Sequence, residues 1–426
     1  MTYHNAVKYV KNAPNLTPKN NAVSDRISAL SGALGNPQRH IKYIRLAGSN
    51  GKTICARMLT SILNEANISS GCFSMPIHDE IRDNIRINGE PISMDEAVVY
   101  ISAVRDAVAK INSDEESGFD GHFSATAHEI LLFAAILAFN AHKCSVCIIE
   151  SDHTGEDPSR FLTVSPFAAI ICGIIPSSNK KEILRIRSYI SRGMREIVAA
   201  PQDEKAFSII QETCASAGCR PTQANVSGIN ITRLALGGTD FTYKGNSYSL
   251  QVCGKFQTAN AIIAIEGANM LKRCGHKIEQ EHITSGLASV KAPGKFEIIS
   301  AFPTIIADST YAPVAIEAIC DSLSDFKSIT GTHIRLCLPD GELIPQYIVA
   351  LRERGYTIDK ISALIIEGIA DEERGKCDVP LTLSKTYKLT AKDALLGLDG
   401  SSILLISGPS NFTKALRHQL LSILGF

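Results

Sequence analysis

The sequence predicts an α/β protein with two domains, each built on a mainly parallel sheet that carries helices on both faces. Its 426 residues are too many for one ordinary core. Helix-like and strand-like patterns alternate through most of the chain, which is typical of a doubly wound sheet. Residues 144–150 and 167–174 are almost continuously apolar, as expected of parallel strands covered on both faces.

The first alternating block extends from the N-terminus to about residue 293. Its predicted helices are 22–34, 53–65, 94–112 and an apolar helix that ends near 141, and its predicted strands are 40–47, 144–150 and 167–174. Two short strands are expected between residues 84 and 92, around a turn at Asn88-Gly89. Alternating residues at 229–252, around Lys244-Gly245-Asn246, indicate a small antiparallel insert.

The second block begins after Ala292-Pro293-Gly294, where a Pro-Gly dipeptide marks a turn. Strands are predicted at 305–308, 334–338, 361–366 and 402–406, with helices that begin at about 313 and 411. We therefore predict a larger N-terminal domain at 1–293, with the insert, and a smaller α/β domain at 294–426.

The net charge and hydropathy of the chain limit the kinds of partner that it is expected to bind. Lysine and arginine total 43, as do aspartate and glutamate, so the formal net charge is zero. This balance gives no general attraction to nucleic acid or to an anionic membrane. No apolar run reaches the roughly 18 residues of a membrane span, and residues 1–20 lack the apolar core of a secretion signal. We expect a cytoplasmic monomer that acts on small molecules.

The twelve cysteines are dispersed, which favours reduced thiols over a disulfide framework. Cys144 and Cys147 form a CxxC inside an apolar run. If that run is a strand, residues three apart point to opposite faces, which argues against zinc.

The segment Gly48-Ser49-Asn50-Gly51-Lys52-Thr53 lies between a predicted strand and a predicted helix. Glycines let backbone N–H groups approach phosphate oxygens, and a helix N-terminus favours negative charge. Lys52 is then expected at the β- and γ-phosphates of ATP, with the Thr53 hydroxyl on Mg²⁺. The alternative is a tight turn with an exposed lysine.

The sequence around this loop resembles the folylpolyglutamate synthase/dihydrofolate synthase family of the Mur ligase superfamily. Similar segments follow in family order: Arg86 to Ser93, Thr126 to Glu129, Glu150 after a buried strand, Gly254 to Ala261, Pro293 to Glu297, and Asp308 to Pro313.

The resemblance implies an ATP-dependent amide ligase that adds glutamate to a folate-type carboxylate through an acyl phosphate. It implies that Lys52 and Thr53 hold phosphates and metal, that Glu150 is a metal ligand and that Asn260 contacts the nucleotide. Lys295 and Asp308 are expected to close over the nucleotide from the linker and the C-terminal domain, which makes Lys52, Glu150 and Asp308 the implied catalytic group. Three of these residues have an alternative role: Glu150 as a solvated cap, Asn260 as a helix N-cap and Lys295 as a surface lysine.

The sequence departs from the family pattern near the expected metal. Ser178 and Ser191 stand where the family has a metal-binding histidine and a carbamylated lysine, and most glycines are missing after Glu150. His153 is a possible substitute ligand. Because a neutral hydroxyl is a poor Mg²⁺ ligand, we expect slow ligase turnover while ATP still binds.

Three functions stay open at this point. The first is the ligase itself, with either dihydrofolate or polyglutamate synthesis. The second is a divergent paralogue that binds ATP as a regulatory or partner subunit without ligation. The third is a ligase for another acceptor.

Overall fold

The computed structural model describes residues 1–14, 22–75, 77, 80–119, 122–151, 157–174, 180–309, 313–339, 341, 343–365 and 378–425. Within these residues the chain divides into two compact units. The first contains Met1–Ser227 and Asn260–Leu287, and the second contains Gly228–Ala259 and Ala288–Phe426.

The first unit is built on an eight-stranded sheet with the order β4-β3-β2-β5-β1-β6-β7-β8. Every neighbouring pair in the run β2-β5-β1-β6-β7-β8 is parallel. At the other edge, β3 pairs antiparallel with both β2 and β4. The strands are β1 Tyr43–Ala47, β2 Ser70–Phe73, β3 Ile85–Ile87, β4 Glu90–Pro91, β5 Val146–Glu150, β6 Ala168–Ile171, β7 Glu196–Ala199 and β8 Arg220–Gln223.

The helices of this part of the chain are α1 Tyr3–Lys11, α2 Val23–Ala33, α3 Lys52–Glu65, α4 Met94–Ser113, α5 Ala127–Ala141, α6 Lys180–Ser188, α7 Glu204–Ala217, α8 Lys255–Arg273 and α9 Gln280–Ala288. Two of them begin with a capping box. Ser93 and Glu96 exchange side-chain and backbone hydrogen bonds at the start of α4, and Thr126 and Glu129 do the same at α5. Such a box satisfies two N–H groups that have no partner inside the helix.

The second unit contains two sheets. An antiparallel sheet is formed by β9 Asn230–Ala235, β10 Gly238–Tyr243 and β11 Asn246–Leu250. A six-stranded sheet has the order β12-β13-β17-β14-β15-β16, parallel except for β12. Its strands are β12 Glu297–Ala301, β13 Thr304–Asp308, β14 His333–Pro339, β15 Thr357–Leu364, β16 Leu381–Ser384 and β17 Ser402–Ser407, and its helices are α10 Pro313–Ser324, α11 Lys327–Thr330, α12 Leu343–Glu353, α13 Tyr387–Leu395 and α14 Ser410–Leu424.

These sheets confirm the predicted fold class: a doubly wound, mainly parallel sheet and a second, smaller α/β unit. The antiparallel insert is present, but its strands group with the second unit, because Leu234 and Leu236 pack against that unit's core. The division into domains 1–293 and 294–426 stays a prediction, since compactness alone does not show which segments fold independently. No helix among the described residues combines the length and apolar character of a membrane span.

Candidate nucleotide-binding site

The loop between β1 and α3 has a backbone that requires glycine at two positions. Gly48 has φ +122°, and a Cβ placed there would lie 2.8 Å from the carbonyl oxygen of Cys172. Gly51 has φ +83° and directly precedes α3. L-residues with side chains are strained at such φ values, so glycine permits both the turn and the close approach to β6.

The loop is anchored to the end of β6. The N–H groups of Ser49 and Asn50 both donate to the carbonyl oxygen of Gly173, at 2.8 and 3.1 Å. The Nζ of Lys52 donates to the carbonyl oxygen of Gly48 at 2.8 Å. Lys52 is buried, which excludes a tight turn with an exposed lysine. Its ammonium therefore stays at the loop, where a helix N-terminus already favours an anion.

Thr53 and Glu150 provide oxygen atoms beside the start of α3. The Thr53 hydroxyl lies 3.3 Å from Oε2 of Glu150, whose side chain is fully buried at the end of β5. Complete burial is inconsistent with a solvated cap. Mg²⁺ takes oxygen ligands, chiefly carboxylate, phosphate and water, and in phosphate loops the Ser or Thr hydroxyl at the start of the helix joins them. The Thr53 hydroxyl and the Glu150 carboxylate therefore fit a magnesium ion that is also bound by nucleotide phosphates.

Arg57 follows Thr53 by one turn of α3 and therefore lies on the same face of the helix. Burial, and then the charge of Arg86, lower the pKa of Arg57, while the nearby charge of Glu150 opposes that shift. The sequence analysis did not identify this arginine, because nothing in its local pattern distinguishes it from a surface residue on a helix.

Asn260 lies in the second turn of α8, which begins at Lys255. The alternative that Asn260 is the N-cap of its helix is therefore wrong. A Cβ at Gly51 would lie 2.5 Å from Oδ1 of Asn260, which places the amide against the phosphate loop.

Lys295 and Asp308 belong to the second unit, where the structure brings their segments together. The N–H of Phe296 donates to Oδ2 of Asp308 at 2.8 Å, and the N–H of Ser309 donates to the carbonyl oxygen of Gly294 at 2.7 Å. Asp308 is buried and Lys295 is half-buried. The carboxylate of Asp308 therefore fixes the backbone immediately after Lys295.

Two serines, Ser178 and Ser191, stand where the family has a histidine and a lysine, and the structure describes only Ser191. Ser191 Oγ accepts from Nη1 of Arg45 at 3.2 Å, and the same nitrogen donates to the Ser188 carbonyl at 3.0 Å. Arg45 lies in β1 and is 2% exposed, so a permanent cation occupies the surroundings of Ser191. Ser178 and His153 lie outside the described residues, and their predicted roles stay untested.

The CxxC cysteines differ from expectation. Cys144 precedes β5, which begins only at Val146, so strand alternation does not apply to it, and the neighbouring Cys147 lowers its pKa. The eleven described cysteines are free thiols.

No protein-family model matches the chain. Several curated proteins are similar to the chain in sequence. A probable bifunctional folylpolyglutamate synthase/dihydropteroate synthase of Halobacterium salinarum is 25% identical over 343 residues, which are 76% of this chain but 40% of that protein. The folylpolyglutamate synthase of Lacticaseibacillus casei is 25% identical over 80% of this chain and 81% of its own length. The match to the first relative, and to a similar one from Haloferax volcanii, thus spans about two fifths of their lengths.

Solved structures match over nearly the whole chain. The folylpolyglutamate synthetase from Lactobacillus casei gives a TM-score of 0.80 at 20% identity, over 99% of this chain and 100% of that one. This chain is thus similar to folylpolyglutamate and dihydrofolate synthases in sequence and in fold. The folylpolyglutamate synthase of Mycobacterium tuberculosis complexed with ADP matches at a TM-score of 0.80 and 21% identity, over 98% of both chains.

Proposed function

We propose that this protein is an ATP-dependent amide ligase that adds glutamate to a folate-type carboxylate. The observation that carries the proposal is the phosphate loop: a glycine-dependent turn at a helix N-terminus, with a buried lysine and a carboxylate-hydroxyl pair beside it. It lies within a fold shared with folylpolyglutamate synthases. Proteins named as such synthases, and a related structure described as an AMPPCP–folate complex, support the choice of substrates.

Lys52 and the loop N–H groups would hold the phosphates, and Thr53 and Glu150 would hold Mg²⁺. For the N–H groups of Ser49 and Asn50 to reach phosphate, their hydrogen bonds to Gly173 must exchange for bonds to the ligand. The metal would neutralise negative charge on the triphosphate when bound. Asn260, beside Gly51, is proposed to contact the nucleotide from α8.

Lys295 and Asp308 are proposed to serve the same reaction from the second unit. Asp308 would act mainly by position, because its carboxylate already accepts the N–H of Phe296 and so orients the backbone next to Lys295.

The reaction proceeds in two displacements. A carboxylate oxygen of the folate attacks the γ-phosphorus of ATP, which forms an acyl phosphate and releases ADP. The amino nitrogen of glutamate then attacks the acyl carbon, loses a proton and displaces inorganic phosphate, leaving an amide. The protein's contribution is position and charge neutralisation, because a carboxylate and a triphosphate repel each other.

The test is an incubation with ATP, Mg²⁺ and glutamate, with either tetrahydrofolate or dihydropteroate as acceptor. We expect ADP release that depends on both acceptor and glutamate, together with a product heavier by one glutamyl residue. The two acceptors separate polyglutamate from dihydrofolate synthesis. Tight ATP binding without acceptor-dependent ADP release would instead support the non-ligating paralogue, which the similar synthases reported above do not favour.

We further propose that the protein works as a monomer in the cytoplasm. Light scattering of the purified protein and fractionation of the producing cells test these two points separately.

A further inference from the structure

Helix α6 carries two described arginines that have different surroundings. Nη2 of Arg185 lies 3.3 Å from the hydroxyl oxygen of Ser49 in the phosphate loop. Nη2 of Arg187 lies 3.7 Å from Oε2 of Glu212 on α7, and both of those side chains are more than half exposed. Residues two apart on a helix are separated by about 200° around its axis, so one arginine faces the loop and the other faces solvent.

The position of Arg185 is fixed from two directions. The neighbouring Ile186, together with Tyr189, packs in one buried cluster with Ala47 and Ile171, so α6 is docked on the sheet. Ser49 is held in turn by its N–H bond to the carbonyl of Gly173. Both partners of the Arg185–Ser49 contact are therefore anchored to the strands β1 and β6 that flank the loop.

A neutral hydroxyl is a modest partner for a guanidinium group. Hydrogen bonds between arginine and phosphate are charge-assisted, and the planar guanidinium can donate two parallel N–H bonds to phosphate oxygens. A nucleotide phosphate that enters the loop would therefore offer Nη2 a stronger acceptor at nearly the same place. Arg185 would add a second cation to that of Lys52, from an element outside the loop.

We propose that Arg185 binds a phosphate oxygen of the nucleotide, and that Ser49 holds its guanidinium in place before the nucleotide enters. This inference rests on the proposed nucleotide-binding role of the Gly48–Thr53 loop. It assigns to α6 a part in substrate binding that lies outside the phosphate-loop motif.

Calorimetric titration with Mg-ATP and Mg-ADP tests the assignment in three variants. Arg185→Met removes the charge and keeps a long side chain, Arg185→Lys keeps the charge, and Arg187→Met is the matched control on the same helix. We expect Arg185→Met to weaken Mg-ATP binding roughly 10- to 100-fold. Arg185→Lys should recover part of the loss, and Arg187→Met should bind as the unmodified protein does.

A purely structural role would give a different pattern. In that case Arg185→Met would lower the unfolding temperature of the nucleotide-free protein, and Arg185→Lys would not improve ATP affinity over Arg185→Met. That pattern, or equal ATP affinity in Arg185→Met and Arg187→Met, overturns the assignment. The proposed ligase function fails separately: an unmodified protein that binds ATP but transfers no glutamate leaves the role of Arg185 intact.

Discussion

The two ends of the parallel strands in the first unit are chemically different. At the carboxyl ends lie the phosphate loop after β1, Glu150 at the end of β5, and the Gly173 carbonyl after β6. At the amino end, Cys144 precedes β5 beside a cavity of about 580 Å³, whose lining includes His40 and Lys143 but none of the phosphate-loop residues.

Helix direction explains the difference. At the carboxyl ends, α3 begins and directs free N–H groups and the positive end of its dipole toward a ligand. At the amino end, α5 finishes at Ala141, just before Lys143, where carbonyl groups disfavour an anion. Ligands of such sheets bind at the carboxyl ends of the strands, and the direction of α3 gives the physical reason here.

The sharpest test of this comparison replaces one lysine on each side of β1: Lys52 at the start of α3 and Lys42 just before the strand. Lys52→Ala removes the ammonium from the loop, and we expect Mg-ATP affinity to fall at least about tenfold and turnover about 10²–10³-fold. Lys42→Ala, at the exposed amino end of the same strand, should change neither. Calorimetry and steady-state ADP release measure both effects. Unchanged ATP affinity in Lys52→Ala would show that the carboxyl end is not the nucleotide site.

A second, smaller effect is expected on protein stability when Ser191 is substituted. Ser191→Lys restores the residue type expected from the family but places an ammonium beside the buried guanidinium of Arg45. We expect the free energy of unfolding to fall by about 2 kcal/mol, because like charges repel where water screens them poorly. Urea denaturation measures this loss, with Ser191→Met as the uncharged control of similar length.

Bicarbonate sharpens the same experiment. Carbamylation of the new lysine by dissolved CO₂ would replace its positive charge with a negative one, and Arg45 would then attract it. Added bicarbonate should therefore raise the stability of Ser191→Lys but not that of Ser191→Met. Equal stability of the two variants, with and without bicarbonate, would mean that Arg45 does not control this position.

A third test concerns the turn itself. Gly51→Ala forces a Cβ into a positive-φ backbone and toward Oδ1 of Asn260. We expect a loss of about 1–2 kcal/mol in stability, mostly from the backbone because an amide oxygen can move away. Gly35→Ala is the matched control, since it has φ +77° and open space around its Cβ position. Both variants should therefore lose similar stability, but only Gly51→Ala should weaken Mg-ATP binding. Normal ATP binding by Gly51→Ala would show that contact between the loop and Asn260 is unimportant.

Local patterns predicted those parts of the fold that depend on residues near in sequence. The turn at Asn88-Gly89 joins β3 and β4 as expected, and both residues have positive φ. The phosphate loop was also identifiable, because its glycines, lysine and threonine are contiguous. The four-residue strands β7 and β8 were not predicted, since so short a strand carries little pattern.

Contacts between distant residues were beyond sequence reasoning. Arg185 and Ser49 are separated by 136 positions, and Arg45 and Ser191 by 146. Each of these residues is locally ordinary, and only the arrangement of β1, β6 and α6 brings them together. For Cys144 the error was one of boundary: β5 begins two residues later than expected, so strand alternation did not apply.

The smallest expected effect lies at the amino end and tests whether the two ends are independent. Cys144 and Cys274 are both half-buried, but hydrogen bonding with Cys147 lowers the pKa of Cys144, whereas burial raises the pKa of Cys274. A lowered pKa gives more thiolate at a given pH, and the thiolate is the reactive form. We expect iodoacetamide at pH 7.5 to label Cys144 roughly 3- to 10-fold faster than Cys274, with the ratio shrinking as pH rises and Cys274 ionises. Peptide mass spectrometry measures both rates, and Cys147→Ala should slow the labelling of Cys144 by removing its hydrogen-bond donor.

Because the amino end carries no part of the proposed site, labelled protein should keep its Mg-ATP affinity. A loss of binding on labelling would show that the two ends are coupled.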